Sequence, residues 1–227
     1  MTSSLTLCGI SIGNPLDIPA RTLTALKSCD FILCEDTRTA GRLLSSLSIG
    51  KPLRSYFNYN EQKRVDELRK ELKTETLQIV LISEAGMPLI ADPGYRVVNL
   101  FHELGLPVRA VPGPTAFVMA LVMSGFPLNQ FTFLGFWPVK TKDKKNAISI
   151  LKTSNHPIVF YESPMRILKT IQWLVEADPT MRVFVAKELT KTYETTWRGT
   201  AQEVVGQLQH ATLKGEFTVV AVFSSVL

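Results

Sequence analysis

Carboxylate side chains recur in this sequence at points where apolar segments stop. Leu77 to Ile82, LQIVLI, is a six-residue run with one polar residue, long enough for a buried strand and too short for a helix. The twelve residues after it hold Gly86, Pro88, Pro93 and Gly94 together with Glu84 and Asp92, before the amphipathic run Val97, Val98, Phe101, Leu104 begins. Glu35 and Asp36 follow the apolar run Phe31 to Cys34, Glu162 closes Pro157 to Glu162, and Glu188 lies near the end of Arg182 to Leu189. Open α/β sheets bind ligands at the carboxyl ends of their strands, where side chains can converge on a cleft. A carboxylate so placed can hold a polar ligand or take a proton from a weak nucleophile. The loop Ser83 to Gly94 exceeds the usual βα length of about 2–6 residues and reads as the floor of a site.

Other chemistries find less support. Cys8, Cys29 and Cys34 are odd in number, sit in or beside apolar runs and form no C-x-x-C, which argues against disulfides and zinc and for buried thiols in a reducing compartment. His102, His156 and His210 are far apart, so neither a metal site nor a Ser/His/Asp triad is expected. Gly9 and Gly13 are four apart with no G-x-G-x-x-G, and the dinucleotide fingerprint is absent.

Composition sets the frame. A chain of 227 residues, 45% hydrophobic and 20% charged, can bury one large core or two small ones. The start, MTSSLTLCGIS, has no basic n-region, and the longest apolar run, near Ala116 to Met123, falls short of the roughly 20 residues of a membrane span. A soluble cytoplasmic protein with no membrane partner is expected. The net charge of +5 permits a polyanionic partner without demanding one.

The elements that must position these residues alternate. Ser4 to Ser11 reads as a strand, Pro19 to about Ser28 as a helix, and Phe31 to Cys34 as a strand. Thr37 is placed to cap a helix carrying Leu43, Leu44 and Leu47. Pro52 to Phe57 is a weak strand and Glu61 to Lys73 a charged helix with Val65, Leu68 and Leu72 on one face. Beyond the central strand come helix Tyr95 to Leu104 and strand Val108 to Val111. This βαβαβαβαβ order implies a parallel sheet covered on both faces. Pro112-Gly113-Pro114 interrupts it, and an apolar helix Thr115 to Ser124 follows, so the expected domains are 1–112 and 113–227. In the second, strands Phe131 to Trp137, Pro157 to Glu162, Arg182 to Leu189, Tyr193 to Arg198 and Glu216 to Ser224 alternate with helices near Lys144 to Lys152, Met165 to Ala177 and Ala201 to Gln209. Thr200 and Glu203 make a capping box, and the short break at Thr190 to Thr192 suggests a hairpin, hence a mixed sheet.

Taken in order, eight motifs carry a resemblance: SIGNPLDIPART (Ser11 to Thr22), CEDTR (Cys34 to Arg38), SEAGMPLIADPG (Ser83 to Gly94), VPGPTA (Val111 to Ala116), FLGFWPVK (Phe133 to Lys140), YESPMR (Tyr161 to Arg166), KELTK (Lys187 to Lys191) and Lys214-Gly215-Glu216. Together they resemble the tetrapyrrole-methylase superfamily, in its ribosomal branch of 16S rRNA cytidine-2′-O-methyltransferases. The resemblance implies a two-domain α/β fold, a homodimer, S-adenosylmethionine bound in a cleft between the domains, and methylation of a ribose hydroxyl in small-subunit rRNA. No metal is implied. Two departures stand out. The family's S-D-A-G-T-P is here Ser83-Glu84-Ala85-Gly86-Met87-Pro88, and its R-E-L-T-K begins with Lys187, which lacks the bidentate fork of arginine.

The resemblance also suggests roles. Gly13, Asn14, Glu84, Ala85, Gly86, Met87, Asp92, Pro112, Gly113, Pro114, Thr115, Ala116 and Tyr161 fall on the cofactor side, where small residues let a ligand lie against main chain. Glu35 and Asp36 join them. Glu162, Glu188 and Lys187 are the candidates for activating or positioning the hydroxyl, a weak nucleophile. Phosphate contacts are expected from Arg38, Arg166 and the run Lys140, Lys142, Lys144, Lys145, with Arg42 as a further candidate and Trp137 placed to stack a base. Two other readings stay open: a tetrapyrrole C-methyltransferase, whose polycarboxylate substrate would also suit lysines, and an RNA-binding relative without turnover.

Overall fold

Phe31–Cys34 is buried at all four positions and Gln78–Leu81 at the last three, and such strands need cover on both faces. A computed structural model describes residues 2–226, in two compact units, Met1–Thr115 and Ala116–Leu227.

The first unit runs β1 (Ser4–Cys8), α1 (Ala20–Ser28), β2 (Phe31–Cys34), α2 (Thr37–Ser46), β3 (Leu53–Ser55), α3 (Glu61–Glu71), β4 (Gln78–Leu81), α4 (Tyr95–Glu103) and β5 (Val108–Val111). Its sheet has the order β3-β2-β4-β1-β5 with every pair parallel, as the alternation implies. Successive side chains point to opposite faces. Phe31, Leu33, Ile79 and Leu81 meet Val65 and Leu68 of α3 and Leu100 and Phe101 of α4. Ile32, Cys34, Val80 and Ile82 meet Leu26 of α1 and Leu44 of α2 on the other face. Cys8, Cys29 and Cys34 are all buried free thiols, and burial is the main cause that pushes Cys8 and Cys34 up to about 11. The first strand stops at Cys8, earlier than the sequence suggests: Gly9 still donates to Val111 at the end of β5, but from Ile10 the chain pairs with the loop at Gly86.

The second unit runs α5 (Ala116–Ser124), β6 (Thr132–Phe136), α6 (Thr141–Thr153), β7 (Ile158–Glu162), α7 (Ile167–Ala177), β8 (Arg182–Lys187), β9 (Thr195–Thr200), α8 (Ala201–Gln209) and β10 (Phe217–Val222). Its sheet, β6-β7-β10-β8-β9, is mixed: β6 and β7 are parallel and the other neighbours antiparallel. The expected hairpin joins β8 to β9, and Thr200 and Glu203 form the expected capping box. α6, α7 and α8 cover one face through Leu151, Ile171, Leu174, Val204 and Leu208. Among the described residues no helix is long and apolar enough to cross a membrane, and no His/Cys/Asp/Glu group could hold a metal ion.

β6 breaks its own alternation. Leu134 and Trp137 both face the core although they are three apart, and Phe133 and Phe136 both face away from it. The pairing with β7 slips between Phe133 and Phe136, at Gly135, which has φ +68°. A side chain at position 135 would meet nothing within 4 Å, so the conformation and not space calls for glycine.

Candidate functional site

In the first unit the motif loops meet at the carboxyl edge of the sheet. The Ile10 amide donates to the Gly86 carbonyl at 2.9 Å, the Gly86 amide to Ser11 at 3.3 Å, and the Gly9 amide to Val111 at 3.2 Å. Gly9 and Gly113 touch backbone to backbone: a Cβ on Gly9 would lie 2.6 Å from the Gly113 Cα and 2.7 Å from the Met87 sulfur. Gly86, with φ +73°, faces the Pro114 carbonyl, 3.1 Å from where its Cβ would stand. The Ser83 hydroxyl donates to the carbonyls of Ala85 and Gly86 at 3.1 and 3.2 Å and ties the loop to its own strand end. Thus Glu84, Ala85, Gly86, Met87, Pro112, Gly113, Pro114 and Thr115 share one cluster. Sequence reasoning passed over Gly9 and Ser83. Gly9 and Gly13, four apart, fit no dinucleotide fingerprint, and nothing else in the sequence marks Gly9.

The loop is held under strain. Leu89 and Ala91 adopt φ +69° and +65°, rare for residues with side chains. Its far end is fixed by Glu61, whose carboxylate accepts from the Gly94 amide at 3.0 Å, and by buried Tyr56, whose hydroxyl accepts from the Val97 amide at 3.1 Å. Gly13 is exposed, and Asn14 caps the short turn Pro15–Asp17 by accepting from the Leu16 amide at 3.0 Å.

A cavity of about 180 Å³ opens between the ends of β1, β2 and β4, with Ile10, Ile82 and Leu43 as an apolar wall and Glu35, Asp36 and Glu84 as an acidic rim. Burial, reinforced by Glu35 and Glu84, raises the Asp92 carboxyl to about 6 against a hydrogen bond from Ser83. Burial and Glu84 also raise Glu35. Two carboxyls raised in this way beside the Glu84 charge form a site that gains from a bound positive charge. Asp36 differs from them: hydrogen bonds from the Arg38 side chain and amide hold it down at about 2. It is Asp36, not Thr37, that caps α2, because its carboxylate reaches the Arg38 amide at 2.7 Å. Arg38 spends its guanidinium on that same carboxylate.

In the second unit the carboxyl ends of β6, β7 and β8 lie at one edge with the start of β10, since Phe217 pairs with both Glu162 and Lys187 and Phe136 with Tyr161. This register gathers FLGFWPVK, YESPMR, KELTK and Lys214-Gly215-Glu216. The side chains differ in availability. Glu162 has no exposed side-chain surface: one oxygen accepts from the Ser163 amide at 2.6 Å and Arg166 at 2.7 Å, the other from Thr170 at 2.6 Å. The carboxylate expected to activate a hydroxyl is instead the anchor of Arg166. Lys187, also expected there, is buried beside the Trp197 ring and donates to the Thr212 carbonyl at 3.0 Å. Glu188 is half-buried with φ +54°, and Thr190 has φ +64°. The Glu188 carboxylate accepts from Lys191 and from the Glu216 amide, both at 2.9 Å. Partial burial works to raise it, but those donors outweigh burial and leave it lowered.

Trp137 is 1% exposed and packs on Phe160, 4.5 Å between ring centroids, so it cannot stack a base. Lys140, Lys142 and Lys145 are exposed at the start of α6, whereas Lys144 lies over the Trp173 ring at 5.4 Å. Tyr161, half-buried, packs edge-on against Phe133 and Phe136, and Ala116 opens α5.

Comparison with known proteins places these features. Residues 4–205 match the family model of tetrapyrrole (corrin/porphyrin) methylases. A ribosomal RNA small subunit methyltransferase I of Thermotoga maritima is 40% identical over 95% of this chain and 96% of its own length, and the one of Bacillus subtilis is 37% identical over 92% and 71%. Among solved structures, a diphthine synthase superposes with a TM-score of 0.69 at 14% identity, covering 99% of this chain and 92% of its own. A uroporphyrin-III C-methyltransferase from Thermus thermophilus, complexed with S-adenosylhomocysteine, gives 0.63 at 16% identity, covering 96% of each chain. The chain belongs to the tetrapyrrole (corrin/porphyrin) methylase family, among the ribosomal RNA small subunit methyltransferases I, and is a methyltransferase.

Proposed function

We propose that this protein transfers the methyl group of S-adenosylmethionine to the 2′-hydroxyl of a cytidine ribose in 16S rRNA of the small ribosomal subunit. The observation that supports it most is the similarity, 36–40% identity over 92–95% of this chain, to proteins named as small-subunit rRNA methyltransferases. The acidic edge of the first unit fits the cofactor. When bound, S-adenosylmethionine supplies an electrophilic methyl group on a sulfonium and carries a second positive charge on its ammonium. Glu35, Glu84 and Asp92 are suited to receive such charges, because a cation relieves their mutual repulsion. The close-packed backbone at Gly9, Gly86 and Gly113 offers amides and carbonyls with no side chain in front of them.

In-line transfer to oxygen demands alignment above all, and positioning can contribute roughly 7–11 kcal/mol. In the second unit Glu188 is the group suited to accept a hydrogen bond from the ribose hydroxyl, with Lys191 fixing its carboxylate. Glu162 and Lys187 act through others: Glu162 holds Arg166 toward phosphate, and Lys187 holds the turn at Thr212. Lys140, Lys142 and Lys145 supply phosphate contacts.

The test is calorimetric titration with S-adenosylmethionine, then transfer of its labelled methyl group to purified small subunits. Label in alkali-resistant ribose is expected. Label on a base, or transfer only to a tetrapyrrole, would overturn the assignment.

A further inference from the structure

The slip in β6 has a chemical outcome. Had the strand kept strict alternation after Leu134, Phe136 would face the core and Trp137 would face away. The bulge at Gly135 exchanges them: Trp137 is 1% exposed and Phe136 is 59% exposed. Bulges that re-aim a side chain are found beside functional sites. The Phe136 ring is also braced. It stands edge-on to Tyr161, 5.5 Å between centroids, and Tyr161 stands edge-on to Phe133 at 5.2 Å. One face of a supported aromatic is thereby kept toward solvent.

What lies next to it is basic. Lys140 follows Phe136 by four residues, so their Cα atoms are at most about 14 Å apart, and Lys140, Lys142 and Lys145 are exposed. Lys140 stands at the N-cap of α6 and Lys142 lies in its first turn, where cations oppose the helix dipole, so folding alone does not favour these two there. An exposed ring a few residues from exposed lysines that show no ion pair among the described residues suits a single-stranded polyanion whose bases have π faces.

We propose that Phe136 is a base-stacking residue, turned outward by the bulge at Gly135, that seats an unpaired base of the RNA beside the lysines at the start of α6. This rests on the RNA reading above.

The experiment measures binding of purified small-subunit rRNA by filter retention across a salt series, for wild type and for F136A, F136L and F136Y, with circular dichroism and thermal melting as the check on folding. F136A and F136L are expected to weaken binding by about tenfold with the slope against salt unchanged, because no charge is removed. F136Y keeps a ring and is expected to bind as wild type does. If F136L also binds as wild type, or if F136A and F136L only dissociate a dimer in sedimentation, the ring is an apolar contact and the proposal fails while the function stands. Wild type that binds neither the rRNA nor purified small subunits would overturn both.

Discussion

Gly9 and Gly113 approach so closely that a methyl group on either would stand 2.6–2.7 Å from the other's Cα. No side chain can relieve that contact, because both partners are backbone. Gly9→Ala or Gly113→Ala should therefore push the loops at the ends of β1 and β5 apart. We expect a stability loss of about 1–3 kcal/mol and a marked loss of affinity for S-adenosylmethionine. Thermal melting and calorimetry would show both; a variant that melts lower yet binds normally would separate this contact from the cofactor site.

Asp92 sets a pH dependence. Its carboxyl titrates near 6 in the folded chain and near 3.9 in an unfolded one. The folded state binds this proton more tightly, so the stabilisation is complete below about pH 4 and is lost as pH rises through about 6. Asp92→Asn should therefore gain stability over wild type across that window and keep the gain at pH 7. A cationic ligand would return the carboxyl to its ionised form, so S-adenosylmethionine should release a proton on binding near pH 6. Titrations in buffers of different ionisation enthalpy count that proton, and finding none would remove Asp92 from the site.

Glu162 anchors Arg166 and Thr170. Removing it leaves Arg166 and Thr170 without their acceptor, and breaking a buried pair costs about 3–5 kcal/mol, less here because the Arg166 side chain is 30% exposed. Urea unfolding should show Glu162→Ala strongly destabilised and Glu162→Gln partly spared. Should Glu162→Gln keep full stability and lose only turnover, the residue carries protons instead.

Neutralising Lys140, Lys142 and Lys145 to alanine should reduce the slope of log affinity for rRNA against log salt by about 2, at roughly 0.7 per contact on single strands. Since Lys140 and Lys142 oppose the α6 dipole and Lys145 is exposed, the triple variant should melt no lower than wild type. An unchanged salt slope would make the lysines a solvated helix start.

Much of the fold is legible in the residues. Phe31–Cys34 and Gln78–Leu81 are apolar on both faces, and helical repeats follow them, so a parallel sheet is the natural solution. Thr200 and Glu203 mark a helix start through chemistry confined to one turn. Long-range contacts are another matter. Nothing near Gly9 in sequence indicates that Gly113 lies against it, and nothing near Glu162 shows that Thr170, one short loop and one helical turn on, completes its shell. The faces of Phe136 and Trp137 are misread by simple alternation, because one left-handed glycine reverses them. The carboxylates at the strand ends are visible as residues, but which ones resist ionisation depends on burial and on neighbours that the ends of β2 and β4 bring together.

The bulge in β6 makes the backbone conformation at Gly135 a determinant of surface chemistry. Keeping the residue count but drawing position 135 into the extended region would send a phenyl ring inward and an indole outward, whereas deleting the residue would remove the extra position and leave both rings facing as they do. A residue with a side chain here, when this chain is set against another, therefore signals a different outer face, and a gap of one position does not.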